Sequence, residues 1–116
     1  ENYFRTLEEK TVEKYLKKNS QIIALGGGSF ESEQTRNLLL NNSIVIYLKT
    51  SPEIIFKRIK NNKDRPLLAS GMNVEKIKEI LNIREKNYKL AHITILTDNK
   101  NIQQIVRDIL ECVNLK

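Results

Sequence analysis

The sequence predicts an α/β fold in three layers, with a parallel β-sheet between helices on both faces. Three short runs are apolar almost throughout, at residues 21–25, 43–48 and 92–96, as is typical of strands buried on both faces. The stretches between them are long enough for helices and carry apolar residues at helical spacing. Because strands joined through a helix run parallel with right-handed connections, this alternation indicates α/β architecture.

The first helix and the first strand are assigned from local signals. Residues 6–9, Thr-Leu-Glu-Glu, resemble a capping box, with an earlier helix start left open. The segment that follows places Val12 and Leu16 on one side of a helix. The strand at 21–25 stops at three consecutive glycines, and a second helix is expected between them and the strand at 43–48.

The next two helices have recognisable first residues. Ser51 and Pro52 have the residue types preferred at the N-cap and first helical position. Asn73 is a suitable N-cap for a long helix that reaches about Leu90. A polar loop between these two helices is predicted.

The last helix is predicted to start at Asp98 or Asn99. Its period indicates four apolar residues that face the core, namely Ile102, Ile105, Val106 and Ile109. The predicted order is helix, strand, helix, strand, helix, loop, helix, strand and helix.

Composition places the 116 residues in the globular class, as one domain over residues 1–116. Cys112 has no second cysteine for a disulfide, and with His92 alone it makes no zinc-ligand cluster. No apolar run approaches the roughly 20 residues that span a bilayer, and the first residues lack the pattern of a signal peptide. We therefore expect a cytoplasmic protein without membrane contact and without a metal ligand in this chain.

The net charge of +6, from 20 Lys and Arg against 14 Asp and Glu, fits a nucleic-acid partner. The excess is mainly lysine in a chain that is also rich in Asn and Ile, a bias that an A/T-rich genome imposes on any protein. The few aromatic residues do not alternate with basic ones as stacking platforms do. We expect no nucleic-acid partner, and a small basic nucleic-acid-binding module remains an alternative.

Three glycines, Gly26, Gly27 and Gly28, follow the first strand directly. Glycine permits positive φ and close approach of a ligand to the backbone, and open α/β sheets bind ligands at this strand edge. The spacing does not fit a dinucleotide fingerprint, and the phosphate-binding motif G-x-x-x-x-G-K-[ST] does not occur in the 116 residues. A ligand site and a plain tight turn therefore remain equally open.

Arg84 interrupts an apolar helix stripe. Ile77, Leu81, Tyr88 and Ala91 follow a helical spacing, and Arg84 occupies its middle. An arginine there extends its guanidinium to the surface, pairs with a core carboxylate, or presents a planar fork to a ligand carboxylate or phosphate. The residues alone favour the structural explanations.

The remaining candidates are basic residues with ordinary alternatives. Arg5 and Glu8 share one helix face, where a surface ion pair is the simplest interpretation. Arg58 lies on a helix beside other cations, and Arg65 lies in the polar loop. Residues 57–65 carry five cations and one anion, which suits a polyphosphate or a nucleic acid.

Taken together, four motifs in this order resemble shikimate kinase. The resemblance implies a nucleoside-monophosphate-kinase-like P-loop fold, with residues 1–20 ending a shikimate-binding helical region and residues 61–72 forming a lid. It implies ATP-dependent phosphorylation of the 3-hydroxyl of shikimate in aromatic amino acid biosynthesis. The motifs are Glu1-x-x-Phe4-Arg5-x-x-Glu8, Ile23-Ala24-Leu25-Gly26-Gly27-Gly28, Asp64-Arg65-Pro66-Leu67-Leu68, and Arg84-x-x-x-Tyr88 with Ala91.

The resemblance also assigns shikimate-binding residues. Arg5 resembles the arginine of the family's Phe-Arg motif, which holds the shikimate carboxylate, and Arg84 resembles the second carboxylate-binding arginine. Gly26, Gly27 and Gly28 resemble the backbone wall on which the shikimate ring and hydroxyls rest.

On the ATP side, Arg65 resembles the catalytic lid arginine that closes onto the phosphates. Arg58 resembles the residue whose guanidinium stacks on adenine, and Lys100 is loosely similar to another adenine contact.

The family's first strands, its phosphate-binding loop and the Asp that orients the attacking hydroxyl have no counterpart in the 116 residues. The resemblance therefore implies the C-terminal two thirds of a shikimate kinase, inactive alone and monomeric when complete, with the Mg²⁺ ligands in the missing part. A regulatory relative that binds shikimate without ATP chemistry is a further alternative.

Overall fold

The computed structural model describes residues 2–16, 21–61 and 72–114, and these form five α-helices, one 3₁₀ turn and two strands. The 3₁₀ turn, Ser29–Glu31, follows the glycines directly and precedes the second helix. The elements are α1 (Asn2–Leu16), α2 (Glu33–Asn42), β1 (Ile46–Lys49), α3 (Pro52–Asn61), α4 (Val74–Tyr88), β2 (Ile93–Leu96) and α5 (Ile102–Asn114).

The two strands pair in parallel, as predicted for strands joined through helices. Ile46 lies opposite Ile93 and Lys49 opposite Leu96. Before the ladder, the Val45 N–H donates to Nδ1 of His92 at 2.9 Å, and after it the Thr97 N–H donates to the Lys49 carbonyl at 2.9 Å. The α/β class is confirmed, since a parallel pair requires the crossover that α3 and α4 provide.

The predicted strand at 21–25 is wrong for the described chain, where residues 21–26 have no regular secondary structure. Ile22 is fully exposed, and the run lines a groove of about 540 Å³ beside α1. An apolar run becomes a strand only when a neighbouring strand supplies hydrogen-bond partners, and no strand of the described residues pairs with it.

Two predicted helix starts are confirmed by their caps. The Ser51 hydroxyl accepts the Ile54 N–H at 3.4 Å, and Pro52 is the first residue of α3. Oδ1 of Asn73 accepts the Lys76 N–H at 2.9 Å at the start of α4. Both caps satisfy backbone donors that a helix leaves unpaired at its N-terminus.

The other two helix starts have different outcomes. Helix α1 begins at Asn2, the earlier start that the sequence left open, so residues 6–9 lie inside the helix and do not cap it. The predicted start of the last helix at Asp98 or Asn99 is wrong. Helix α5 begins after Asn101, which exchanges 2.8 Å hydrogen bonds with Gln104 in a reciprocal cap. Asn99 adopts a φ of 61°, which belongs to a turn and excludes it from a helix.

The sheet is buried less completely than its apolar sequence predicted. In β2, Ile93 and Ile95 are buried, whereas Thr94 and Leu96 are exposed. In α5, Ile105 and Ile109 are half-buried, but Ile102 and Val106, which were expected to face the core, are exposed. Two strands are about 10 Å wide, too narrow to cover the apolar stripe of α5.

The core beside the glycines holds three elements together. Val12 of α1, Phe30 of the 3₁₀ turn and Leu39 of α2 are buried against one another, and Tyr88 of α4 packs on this cluster. The ring centroids of Phe30 and Tyr88 are 6.5 Å apart. As a result α1, the glycines and the last turn of α4 meet at one place.

Candidate functional site

The glycine turn, Gly26–Gly28, is the centre of the candidate site. The Ser29 N–H donates to the Gly26 carbonyl at 3.1 Å, and the Glu31 N–H donates to the Gly28 carbonyl at 3.2 Å. None of the three glycines has a positive φ in the left-handed range, and Gly28 has a φ of −93°. At Gly27 and Gly28, glycine therefore matters for the room it leaves rather than for its conformational freedom.

Arg5 of α1 reaches this turn with its side chain. A Cβ built on Gly28 would lie 2.5 Å from Nη2 of Arg5, closer than real carbon atoms approach. Nη1 of Arg5 donates to Oε1 of Glu8 at 2.5 Å, and the Ser29 hydroxyl donates to Oε2 of the same carboxylate at 2.7 Å. The side chains of Arg5 and Glu8 are 33% and 20% exposed, so this pair links α1 to the turn and differs from a freely solvated surface pair.

Arg84 of α4 also reaches the turn. A Cβ built on Gly27 would lie 3.0 Å from Nη1 of Arg84. Arg84 is half-buried, and no carboxylate of the described ranges forms a salt bridge with it. The core carboxylate that would explain a structural arginine is therefore missing from the part of the chain that is described.

Two guanidinium groups thus lie against adjacent glycines that carry no side chain. Planar guanidinium groups bind carboxylates in a bidentate way, with two parallel N–H donors. The two guanidinium groups and the bare backbone are therefore suited to binding a small anion at the turn.

Tyr88 ties α4 to the turn through its hydroxyl, which donates to the Gly27 carbonyl. Its ring packs on Tyr47 of β1 with a centroid distance of 5.0 Å. The Tyr47 hydroxyl donates to Oε2 of Glu85 at 2.6 Å, and Nζ of Lys49 lies 3.2 Å from Oε1 of Glu85.

The Tyr47–Glu85 contact shifts the pKa of both groups. Burial, followed by the hydrogen bond to Glu85, raises the pKa of the Tyr47 phenol well above its usual range. The hydrogen bond from Tyr47 lowers the pKa of the Glu85 carboxyl, against partial burial and together with Lys49. Tyr47 therefore donates and Glu85 is ionised at neutral pH.

Replacing each glycine by alanine is expected to give a graded series. Gly28→Ala puts a methyl group onto the Arg5 guanidinium, which can move away at little cost to the fold, so we expect the affinity of this site for a small carboxylate to fall about tenfold, the scale of one hydrogen bond to a charged group. Gly27→Ala meets Arg84 at 3.0 Å and should have a smaller effect. Titration calorimetry with shikimate, the ligand that the resemblance of the sequence implies, measures the series.

Gly26→Ala is the control for the fold, because its Cβ would meet its nearest protein atoms at 3.5 and 3.6 Å, an ordinary contact distance. Its melting temperature should equal that of the unchanged protein, and its loss of ligand affinity should be the smallest of the three. Equal affinity in all three variants would contradict an anion site between Arg5 and Arg84.

The residues proposed for adenine contact lie together at a second place. Arg58 of α3 and Lys100, which follows β2, line one open cavity of about 660 Å³ with Asn101, Ile102, Gln103 and Ile105. Nζ of Lys100 is 2.6 Å from Oδ2 of Asp108, so its charge is already paired. Arg65 and most of the predicted lid lie outside the described residues.

No group of three or more His, Cys, Asp or Glu side chains within residues 2–16, 21–61 and 72–114 is placed to hold a metal ion. No helix in the same ranges is long and apolar enough to cross a membrane.

Comparison with known proteins identifies the family. A sequence model of shikimate kinases matches residues 1–114. The chain belongs to the shikimate kinase family. The shikimate kinase of Sulfurihydrogenibium sp. (strain YO3AOP1) is 38% identical over 110 residues, which are 95% of this chain and 65% of that protein. The shikimate kinase of Caldanaerobacter subterraneus subsp. tengcongensis is 36% identical over 110 residues, which are 95% of this chain and 64% of that protein.

Solved shikimate kinases have the same fold. The enzyme from Acinetobacter baumannii, solved in complex with shikimate, superposes with a TM-score of 0.85 at 31% identity over 95% of this chain and 62% of that one. The enzyme from Bacteroides thetaiotaomicron superposes with a TM-score of 0.79 over 97% of this chain and 66% of that one. Its identity is 22%, so this likeness shows the fold and nothing more. The chain thus spans about two thirds of the length of these shikimate kinases.

The structure adds three residues to this candidate site that the sequence did not single out as site residues. Glu8 accepts hydrogen bonds from Arg5 and from the Ser29 hydroxyl, and the Tyr88 hydroxyl donates one to the Gly27 carbonyl. The spacing contained a signal for two of them, since Glu8 lies three residues after Arg5 and Tyr88 four residues after Arg84, on the same helix faces. Ser29 gave no such signal.

Proposed function

We propose that this chain is the C-terminal part of a shikimate kinase and contains its carboxylate-binding site. The complete enzyme transfers the γ-phosphoryl group of ATP to the 3-hydroxyl of shikimate and forms shikimate 3-phosphate. The observation that supports this most directly is the pair of guanidinium groups of Arg5 and Arg84 against Gly28 and Gly27.

In this proposal Arg5 and Arg84 bind the shikimate carboxylate from two sides. Glu8 fixes the direction of the Arg5 guanidinium and leaves its Nη2 towards Gly28. Arg84 has no carboxylate partner in the described residues to compete with the ligand. Together they hold the substrate so that its 3-hydroxyl lies at a defined distance from the phosphoryl donor, which is a large part of phosphoryl-transfer catalysis.

The wall of the site is the backbone of Gly26, Gly27 and Gly28. A ligand ring can approach this backbone closely because no Cβ projects from it. The Tyr88 hydroxyl engages the Gly27 carbonyl, so the peptide groups of the turn are held in one orientation.

The ATP side of the proposal rests on fewer contacts. Arg58 is exposed at the cavity and is free of steric cover for stacking on adenine. Lys100 is ion-paired with Asp108, so the proposal gives it an adenine contact through its backbone or its alkyl chain. Arg65 is proposed to act on the phosphates, while the phosphate-binding loop, the Mg²⁺ ligands and the catalytic Asp belong to the remaining third of the protein.

The 116-residue chain alone is expected not to phosphorylate shikimate. Positioning and charge neutralisation of the γ-phosphoryl group account for most of this catalysis, and their main providers are in the proposed N-terminal part. A coupled ADP-release assay checks this, with the full-length protein as the positive control, dependent on both shikimate and Mg²⁺.

Two results would contradict the proposal in different ways. Shikimate-dependent ADP release by the 116 residues alone would place the phosphate-binding machinery within them. Shikimate binding by the full-length protein without ATP turnover would favour the regulatory relative.

A further inference from the structure

The last turn of α4 is attached to three different segments of the chain by residues close together in sequence. Glu85 accepts a hydrogen bond from Tyr47 of β1 at 2.6 Å. Asn87 donates to Oε1 of Glu31 in the 3₁₀ turn at 3.2 Å, and Tyr88 donates to the Gly27 carbonyl. Arg84 directly precedes Glu85 in the same helix turn, so these three contacts determine the position of the Arg84 backbone.

The attachment of Glu85 is the most directional of the three. Its two oxygens meet two donors, the Tyr47 hydroxyl at 2.6 Å and the Lys49 ammonium at 3.2 Å. Tyr47 and Lys49 are two residues apart on β1 and therefore lie on the same face of the strand. A carboxylate held at both oxygens by one strand face fixes the rotation of its helix relative to that strand.

Tyr47 also connects this contact with the glycine turn. Its ring lies 5.0 Å from that of Tyr88, and the hydroxyl of Tyr88 holds Gly27. Replacing Glu85 is therefore expected to shift Arg84 through the helix backbone. It is also expected to shift the glycine turn through the contacts of Tyr47 with Tyr88 and of Tyr88 with Gly27.

We propose that Glu85 is a positioning residue of the carboxylate site: held by Tyr47 and Lys49, it sets the rotation of α4 that places the Arg84 guanidinium beside Gly27. Side chains reach about 5 to 6 Å from a helix axis, so a rotation of roughly 10° moves a guanidinium by about 1 Å. A displacement of this size weakens bidentate binding. The inference rests on the proposed function, because it takes the shikimate carboxylate as the ligand of Arg84.

The test compares shikimate and ATP affinities of Glu85 variants in the full-length protein. Glu85→Ala should raise the dissociation constant for shikimate about five- to tenfold, the usual size of coupling between residues in contact, and leave that for ATP unchanged. Glu85→Gln keeps an acceptor for Tyr47 but loses the charge next to Lys49, so it should retain most of the affinity. Tyr47→Phe should resemble Glu85→Ala, and the double variant should be no weaker than either one.

Glu79→Ala is the matched control, since Glu79 lies on the same helix with an exposed side chain and only a 3.8 Å ion pair to Lys76. Its shikimate affinity should not change. Titrations are made where circular dichroism shows every variant folded, and Tyr47→Phe, which removes one hydroxyl, replaces Glu85→Ala if that variant does not fold.

Unchanged shikimate affinity in Glu85→Ala and Tyr47→Phe would overturn this inference alone. Equal losses of shikimate and ATP affinity would also overturn it, because they indicate a general structural role. If the unchanged full-length protein binds no shikimate, the proposed function fails, and this inference fails with it.

Discussion

Arg84→Met is expected to remove nearly all shikimate binding from the full-length protein without lowering its melting temperature. The Arg84 guanidinium lies beside Gly27 and has no carboxylate partner in the described part of the chain. Met fills a similar volume on the half-buried stripe, and an apolar residue in place of an unpaired charge is neutral or stabilising. The carboxylate of the ligand, by contrast, loses a charged bidentate partner.

Arg84→Lys separates the charge from the shape of the donor. Lysine keeps the positive charge but loses the planar fork, so the change is not conservative at a bidentate site. We expect shikimate binding to weaken by about 1.5 to 3 kcal/mol, the scale of a hydrogen bond to a charged group, while ATP affinity remains constant.

Calorimetric titration with shikimate and a melting curve on the same sample measure both effects. Arg107→Met, on an exposed position of α5, is the control for loss of an arginine and should change neither quantity. A lowered melting temperature together with intact shikimate binding in Arg84→Met would show that Arg84 is a structural residue.

Arg65→Ala is expected to lower kcat of the full-length enzyme by a factor on the order of 10² to 10³, the usual cost of removing one electrostatic donor to a transition state. A lid arginine acts on charge that develops on the phosphoryl oxygens, so its loss affects the chemical step more than substrate binding. Shikimate affinity should stay within a small factor of the original, and steady-state kinetics decide the result.

Arg58→Ala is the natural comparison, because Arg58 lines the cavity with Lys100 and is proposed to contact adenine. Its main effect should be a higher KM for ATP, with a smaller change in kcat. If Arg65→Ala instead raised the KM for shikimate at an unchanged kcat, Arg65 would belong to the carboxylate site.

Features that depend on neighbouring residues in the chain were predictable. The N-caps at Ser51 and Asn73 follow from side-chain oxygens that reach a backbone N–H three residues later. The last helix shows the limit of this reasoning, since Asp98, Asn99 and Asn101 are all acceptable caps by residue type. The positive φ of Asn99 and the reciprocal bonds between Asn101 and Gln104 decide among them.

The proposed carboxylate site was predictable only as a set of residue types. Arg84 was conspicuous because a cation interrupted an apolar stripe, and the ordered motifs indicated the family. Whether a carboxylate pairs with Arg84 depends on which acidic residues α4 meets across the fold. The sequence could not exclude such a partner.

By itself, the sequence determined the family, through the order of its motifs, and the presence of five helices and of the parallel pair of strands, through local propensity and apolar period. Only the tertiary structure decided that Glu8 joins Arg5 to Ser29, that Tyr88 holds Gly27, and that residues 21–26 form no strand. Contacts across 21 or 61 residues depend on how helices pack, and a strand depends on the strand beside it, so neither is encoded in the segment where it appears.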